Sequence, residues 1–429
     1  MSDNAISVQT FWSRQVSQIK EEGWVVVKRK FPLFVDVITD QRRVFNIILF
    51  LPFVLLVRLI KPFVLLRFGI LISDRIGHFC ANTELYCLEK RNLNSTKRHR
   101  DFFILRYPVS NKQLLKMWRR KLNFHDFLRN IDRVNRMIPG GDDHTIRLPS
   151  DRDTKNLFHG TKPQLYFSPQ ELERGNEFLK SVGVEDGKFV CFHTRDSLYI
   201  KTQARIQCRN RPEKLKSRKH DYRNSDIKNC LPGMKQLVDL GYYSFRMGAL
   251  VDRELKSEDS RIIDYATNGM RYDFLDIFLS AHCKFFVGNP SGLDSVATIF
   301  RAPVLSINQL PIEYAQTYLN NHVFIPQKLW LPNERRFMKF TEIFESGTGR
   351  FLRTEQYEEL GVEVIENTSE EIEGAVLEME ARINGNWQCD REDEALQKKF
   401  WEIFPKSELH GKFRARIGSI FIRDNRDLL

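Results

Sequence analysis

Several familiar signatures are missing from this 429-residue sequence, and each absence removes a class of protein. Its seven cysteines, at positions 80, 87, 191, 208, 230, 283 and 389, never stand as CxxC. Neither a disulfide framework nor a zinc site is therefore expected, and a reducing cytosol suits the chain. No P-loop and no dinucleotide GxGxxG occurs, which argues against a nucleotide hydrolase and a dehydrogenase. The first thirty residues show no basic segment running into an apolar stretch and a small-residue cleavage site, so no secretory leader is expected. Low-complexity blocks and internal repeats are also absent. With 42% apolar and 28% charged residues, the composition excludes bulk disorder. At 429 residues the chain is long enough for at least two packed domains and an appendage.

A charge of one sign is present in excess. The formal net charge is +12, which points to an anionic partner: nucleic acid, a membrane surface or a phosphorylated substrate. The excess is uneven. Cys87 to Lys121 holds eleven Lys and Arg against two acids, Lys201 to Arg223 nine against two, and Glu355 to Glu380 ten acids with no Lys or Arg. No RRM, KH or helix-turn-helix pattern accompanies the basic runs, so nucleic acid is not the expected partner.

From Val44 to Val57 the chain reads VFNIILFLPFVLLV, fourteen residues without a charge, followed by KPFVLLRFGILIS. That is shorter than the roughly 20 residues a helix needs to cross a bilayer. Pro52 and Pro62 interrupt it, and Arg42, Arg43, Arg58, Lys61 and Arg67 flank it with cations suited to lipid headgroups. A membrane-associated segment over 44–66 is expected, lying in or dipping into the surface, with a buried core helix and a true span as the alternatives.

Past this segment, helices alternate with short apolar strands, the pattern of a parallel α/β sheet. FGILIS (68–73) and FFILRY (102–107) read as strands, with a helix over 82–89 and an amphipathic one over 111–128. A second series follows: KFVCFHTRD from Lys188, a helix over 231–240, GYYSFRMG (241–248), a helix over 274–283, KFFVG (284–288), a helix over 291–300 and APVLSI (302–307). The fold class is α/β, with two doubly wound Rossmann-like domains. The expected division is an N-terminal segment 1–66, an acceptor-side domain 67–180, a donor-side domain 181–330 and a C-terminal helical extension 331–429. In that extension Thr368 and Glu371 form a capping box before the stripe Ile372, Val376, Met379 and Ile383.

Ligands of open α/β sheets bind beyond the carboxyl ends of the strands. There the second series places Arg195, Asp196 and Arg246, and a turn of Asn289, Pro290, Ser291 and Gly292 running into a helix. Free backbone N–H groups at that turn, the Ser291 hydroxyl and the close approach allowed by Gly292 suit a diphosphate. Arg195 is suited to bidentate phosphate contact, with Asp196 to orient it. Tyr222, Arg223 and Asn224 offer a stacking ring and further donors. In the first series Asp74, Arg75, Gly77, His78, Asn82 and Glu84 crowd one strand end, and Asp74, His78 and Glu84 are alternatives for a general base. Asp74 as a helix cap and Glu84 as an ion-pair partner of Arg75 are the structural alternatives. No metal-ligand spacing is present.

The stretches RIGHFCANTE (75–84), HTRD (193–196), YRN (222–224), YYSFRMG (242–248), DFLDIFLSAHCKFFVGNPSGLDSVA (273–297) and APVLSIN (302–308) resemble a family of bacterial cell-surface polysaccharide glycosyltransferases. The C-terminal part of the match also resembles the donor-binding end of heptosyltransferase-type enzymes, with Pro290 where the pattern carries a small hydroxyl residue. The resemblance implies the two-Rossmann glycosyltransferase fold and metal-independent transfer from a nucleotide-sugar donor, a substrate rather than a cofactor. It implies a polysaccharide or lipid-linked acceptor, and work at the cytoplasmic face of a bacterial inner membrane. A non-catalytic nucleotide-binding scaffold of the same fold and a basic nucleic-acid-binding protein are the alternatives.

Overall fold

The computed structural model describes residues 41–92, 98–196, 198, 202 and 220–429. Most of the basic run beginning at Lys201 lies outside the described residues.

The regular elements, in chain order, are α1 (Gln41–Leu59), β1 (Leu65–Leu71), α2 (Ile76–Asn92), β2 (His99–Leu105), α3 (Lys112–Arg119), β3 (Asn123–Phe124), α4 (Leu128–Asn135) and α5 (Pro169–Ser181). They continue with β4 (Phe189–His193), α6 (Leu231–Asp239), β5 (Tyr243–Arg246), β6 (Ile262–Ile263), α7 (Asp273–His282), β7 (Phe286–Gly288), α8 (Asp294–Ile299), β8 (Val304–Gln309) and β9 (His322–Pro326). The last are β10 (Lys328–Leu331), β11 (Arg336–Phe337), α9 (Phe340–Glu345), α10 (Thr354–Glu359), β12 (Glu363–Ile365), α11 (Ser369–Ile383), α12 (Arg391–Ile403), β13 (Arg416–Ile417) and α13 (Ser419–Asp424).

The described residues divide into two compact units, and the division is not the sequential one expected. One unit takes 41–74, 90–110 and 118–148; the other takes 75–89, 111–117 and everything from 149 onward.

The first unit holds a three-stranded parallel sheet in the order β1-β2-β3, with Leu65 opposite His99 and Leu71 opposite Leu105. Strands in sequential order wind one way only, so this sheet has no switch point and is smaller than the doubly wound domain expected here. The helix expected over 111–128 ends at Arg119, because Asn123 and Phe124 pair with Phe102 and Phe103 of β2. The apolar run forms α1, whose Val54 packs with Phe68, Ile131 and Val134. Among the described residues no helix is long and apolar enough to cross a membrane.

In the second unit seven strands, all parallel, lie in the order β13-β9-β8-β7-β4-β5-β6. Side chains alternate across a strand, so a sheet covered on both faces needs apolar residues at every position. β4 meets that demand: Val190 and Phe192 join one core with Met234 and Leu237 of α6 and Val376 and Met379 of α11. Its Phe189 and Cys191 join another with Leu179 of α5 and Phe274 and Phe278 of α7. The C-terminal region is more than a helical tail, since β13 extends the large sheet and β11-β10-β12 form a small antiparallel one. The Thr368 and Glu371 capping box is present at the start of α11.

Candidate functional site

β4 and β7 are neighbours, paired from Cys191 with Phe286 to His193 with Gly288. After β4 the chain proceeds to β5 and β6 on one side; after β7 it proceeds to β8 and β9 on the other. The gap between β4 and β7 is therefore the switch point of the sheet, and its carboxyl edge is the position where doubly wound sheets bind ligands.

Asn289, nearly fully buried, joins the loops at this point. A side-chain amide both donates and accepts, and this one does so in three directions. Its Oδ1 accepts from the Arg195 backbone N–H at 2.9 Å, and its Nδ2 donates to the Arg223 carbonyl at 2.6 Å and the Ser225 hydroxyl at 3.3 Å. The Ser225 N–H returns a bond to the Arg195 carbonyl at 3.0 Å. Three segments distant in sequence thus meet on one side chain.

Two cationic side chains converge there. Arg195 is only 9% exposed and donates to the His220 carbonyl, while Arg223 donates to the Pro290 carbonyl. Burial first, and then the adjacent Arg223 charge, push the Arg195 guanidinium down to about 10. Among the described residues neither arginine has a carboxylate in ion-pair contact. Nε of Arg223 and the hydroxyl of Ser291 are buried without a hydrogen-bond partner. Two like charges held together in low dielectric, with unused donors beside them, favour an anion.

The remaining donor-side residues are engaged in other ways. The Asp196 carboxylate accepts from the backbone of Leu198 and Asp252, each at 2.9 Å, and does not orient Arg195. Arg246 is spent on Asp264 at 2.9 Å and on the Arg253 carbonyl, so its charge is neutralised inside the fold. The Tyr222 ring is buried 5.2 Å from that of Tyr357 and is unavailable for stacking on a base. Asn224 donates to Asp221 at 3.2 Å.

The helix after the turn starts at Asp294, later than expected, and Asp294 changes the character of that turn. Its buried carboxylate accepts the Gly292 N–H at 2.8 Å and Gln316 Nε2 at 3.1 Å. Burial raises the Asp294 carboxyl, and the N–H groups of Gly292, Ser291 and Ser295 pull it back. The backbone donors expected to seat a diphosphate thus already hold an internal anion. The donors left over at this edge are those of the arginine pair and the Ser291 hydroxyl.

The start of α2 adjoins this turn. A Cβ on Gly77 would lie 2.8 Å from the Cα of Gly292, so the two backbones touch, and Gly292 has φ +108°. His78 follows, its ring about a third exposed, with Nδ1 3.1 Å from Asn82 Oδ1 and 3.5 Å from Asp151 Oδ2. Asn82 is held by the Pro149 carbonyl at 2.7 Å. An imidazole backed by a carboxylate is suited to take a proton. Asp151 escaped the sequence reading because it sits in a polar stretch without period.

Glu84 does not serve as a base. It is fully buried, paired with Arg301 at 3.0 Å, and accepts the Gln164 N–H at 3.1 Å. Its ion-pair cation is Arg301, while Arg75 lies exposed just before α2. Asp74 belongs to the first unit, where its Oδ1 is buried without a hydrogen-bond partner.

No family model matches the sequence, and no curated protein matches it significantly. Among solved structures the chain is similar to a glycosyl transferase family 9 protein from Veillonella parvula, with 10% identity, 68% of this chain and 95% of that one covered, and a TM-score of 0.38. It is also similar to ADP-heptose LPS heptosyltransferase II of E. coli, with 13% identity, coverages of 61% and 90% and a TM-score of 0.39. A third similar structure is an iron-containing dodecameric glycosyltransferase from enterotoxigenic E. coli, with 12% identity, coverages of 57% and 59% and a TM-score of 0.29.

Proposed function

We propose that this chain is a glycosyltransferase that moves a sugar from a nucleotide-sugar donor to the hydroxyl of a polysaccharide or lipid-linked acceptor at the cytoplasmic face of a bacterial inner membrane. The observation that carries the reading is the Arg195 and Arg223 pair at the switch point, Arg195 buried and Arg223 half-buried, with no carboxylate in ion-pair contact among the described residues and with the unpartnered Ser291 hydroxyl beside it. A departing nucleoside diphosphate is the anion this arrangement suits. Its charge grows as the bond from the anomeric carbon to the phosphate oxygen breaks, and fixed cations in low dielectric stabilise that charge most in the transition state.

The acceptor oxygen forms the new bond to the anomeric carbon and gives up its proton. His78, backed by Asp151 and Asn82, is the base in this reading, and the proton comes to rest on its imidazole. Asn289 fixes both arginine-bearing loops before the donor arrives, so little ordering remains to be done on binding. Departure assisted by arginine requires no metal.

The test is calorimetric titration of the full chain with UDP, GDP, ADP and CMP and their sugar conjugates. Binding of one nucleoside diphosphate that is lost in Arg195→Ala supports the reading. If none binds, or if the protein instead gives a salt-sensitive shift of duplex DNA, the reading fails.

A further inference from the structure

Helix α1 has two apolar faces, and only one of them is used. Val54 is buried, and Ile47, Phe50 and Val57 lean on the same cluster with Phe68, Ile131 and Val134. On the other side Phe45, Ile48, Leu49, Phe53, Leu56 and Leu59 recur at three- and four-residue spacing, and Phe63 continues the stripe just past the helix. These side chains stand in the open: Ile48 is 68% exposed, Leu59 73% and Phe63 82%. Pro52 and Leu55 are the other exposed residues between Phe45 and Leu59, so over that described stretch the exposed face holds no polar or charged residue. A helix on a soluble surface carries polar residues on its outer face, and a contiguous apolar stripe of this length marks a docking surface.

The charge of the chain indicates what docks. The first unit, over 41–74, 90–110 and 118–148, holds eighteen Lys and Arg against six Asp and Glu. The rest of the chain is balanced at forty-nine of each, so this unit carries the whole excess. Five of its six acids are in ion pairs, as in Lys61 with Asp143 and Arg67 with Asp101, and cations still outnumber acids three to one. The exposed stripe consists of Phe, Leu and Ile. Cores of protein interfaces favour Tyr, Trp, Phe, Met and Arg, of which the stripe holds only Phe, whereas Leu, Ile and Phe all partition into hydrocarbon.

We infer that the exposed face of α1 and Phe63 insert into an anionic phospholipid bilayer, with α1 lying in the membrane plane and the basic first unit held against the headgroups. The 19-residue helix is used lengthwise along the surface, as an amphipathic anchor is, although here its second face is covered by protein instead of water. This inference stands independently of the glycosyl-transfer reading.

The experiment is vesicle flotation of the full-length protein with phosphatidylcholine alone and with phosphatidylcholine plus phosphatidylglycerol, each at low and high salt. The expected result is flotation with the anionic vesicles, weakened but not abolished by salt. The double variant Leu56→Gln, Leu59→Gln should bind about a hundredfold more weakly. Both side chains are exposed, so the fold should survive, as circular dichroism would show; Phe63→Ser, beyond the helix, is the second probe if it does not. Failure of the wild type to float, or flotation unchanged in these variants, overturns the inference. So does sedimentation velocity showing a dimer that the same variants dissociate, since the occupant is then a second copy.

Discussion

Gly77 and Gly292 touch backbone to backbone: the position of a Cβ on Gly77 is 2.8 Å from the Cα of Gly292. Backbone cannot swing aside as a long side chain can. Gly77→Ala should therefore push the start of α2 off the turn and lower unfolding free energy by about 1–3 kcal/mol, measured by denaturant titration. Nucleotide affinity should fall with it, because the same turn carries Pro290 and Ser291. A variant as stable as wild type would show that the two backbones separate at no cost.

Arg223→Ala removes one of the two cations at the switch point. Affinity for the nucleoside diphosphate should drop about 10- to 100-fold by calorimetry, the range of one or two charge-assisted hydrogen bonds. The remaining Arg195 would lose a repelling neighbour and titrate higher.

Arg246→Ala should behave in the opposite manner. Its partner Asp264 would be left buried and uncompensated, costing about 3–5 kcal/mol of stability. Nucleotide affinity of the folded fraction should be unchanged. The Arg246→Ala, Asp264→Ala double variant should recover part of the loss, and a fully additive cycle would disprove the pairing.

His78→Ala should reduce kcat by about 10²–10⁴ while donor affinity stays constant, because in the proposed mechanism the imidazole acts on the acceptor proton and not on the diphosphate. Asp151→Asn should show a smaller loss in kcat with the same unchanged donor affinity. Equal losses in kcat and donor affinity for His78→Ala would place this histidine on the donor instead.

His322 supplies a pH dependence. Both ring nitrogens are buried without partners, and burial pushes the imidazole down to about 3 from its ordinary 6.5. Between those values the unfolded chain binds a proton that the folded one refuses, so this residue makes stability fall as pH drops below 6.5. The limiting slope for one proton is about 1.4 kcal/mol per pH unit. His322→Leu should flatten the acid limb between those pH values in denaturation curves. An acid limb identical to wild type would show that water reaches the ring.

Four strands of the large sheet, β4, β5, β7 and β8, were legible because each lies in a short apolar run bounded by turn residues, and β4, covered on both faces, permits nothing else; β6, β9 and β13 went unread, β6 and β13 being only two residues each. The switch-point site was legible in part. HTRD and NPSG follow strands, and strand ends point to ligands whatever their partners. Partners are what sequence conceals: Asp264 lies 18 residues from Arg246, and Arg301 lies 217 from Glu84, so nothing local reveals that each pair is already closed. The Asp294 carboxylate, two residues beyond Gly292, takes up backbone donors that the sequence presents as free. α3 was over-read for a related reason, since the apolar pattern runs on to Leu122 while the ladder with β2 claims Asn123 and Phe124.

The Asn289 amide fixes more than position. The backbone N–H groups of Arg195, Asn289 and Ser225 are each bonded within the joint that its side chain organises, at 2.9, 3.3 and 3.0 Å. None can meet solvent deuterium unless the joint opens. These three amides should therefore exchange at one common rate, as a single cooperative unit, and Asn289→Ala should speed all of them together.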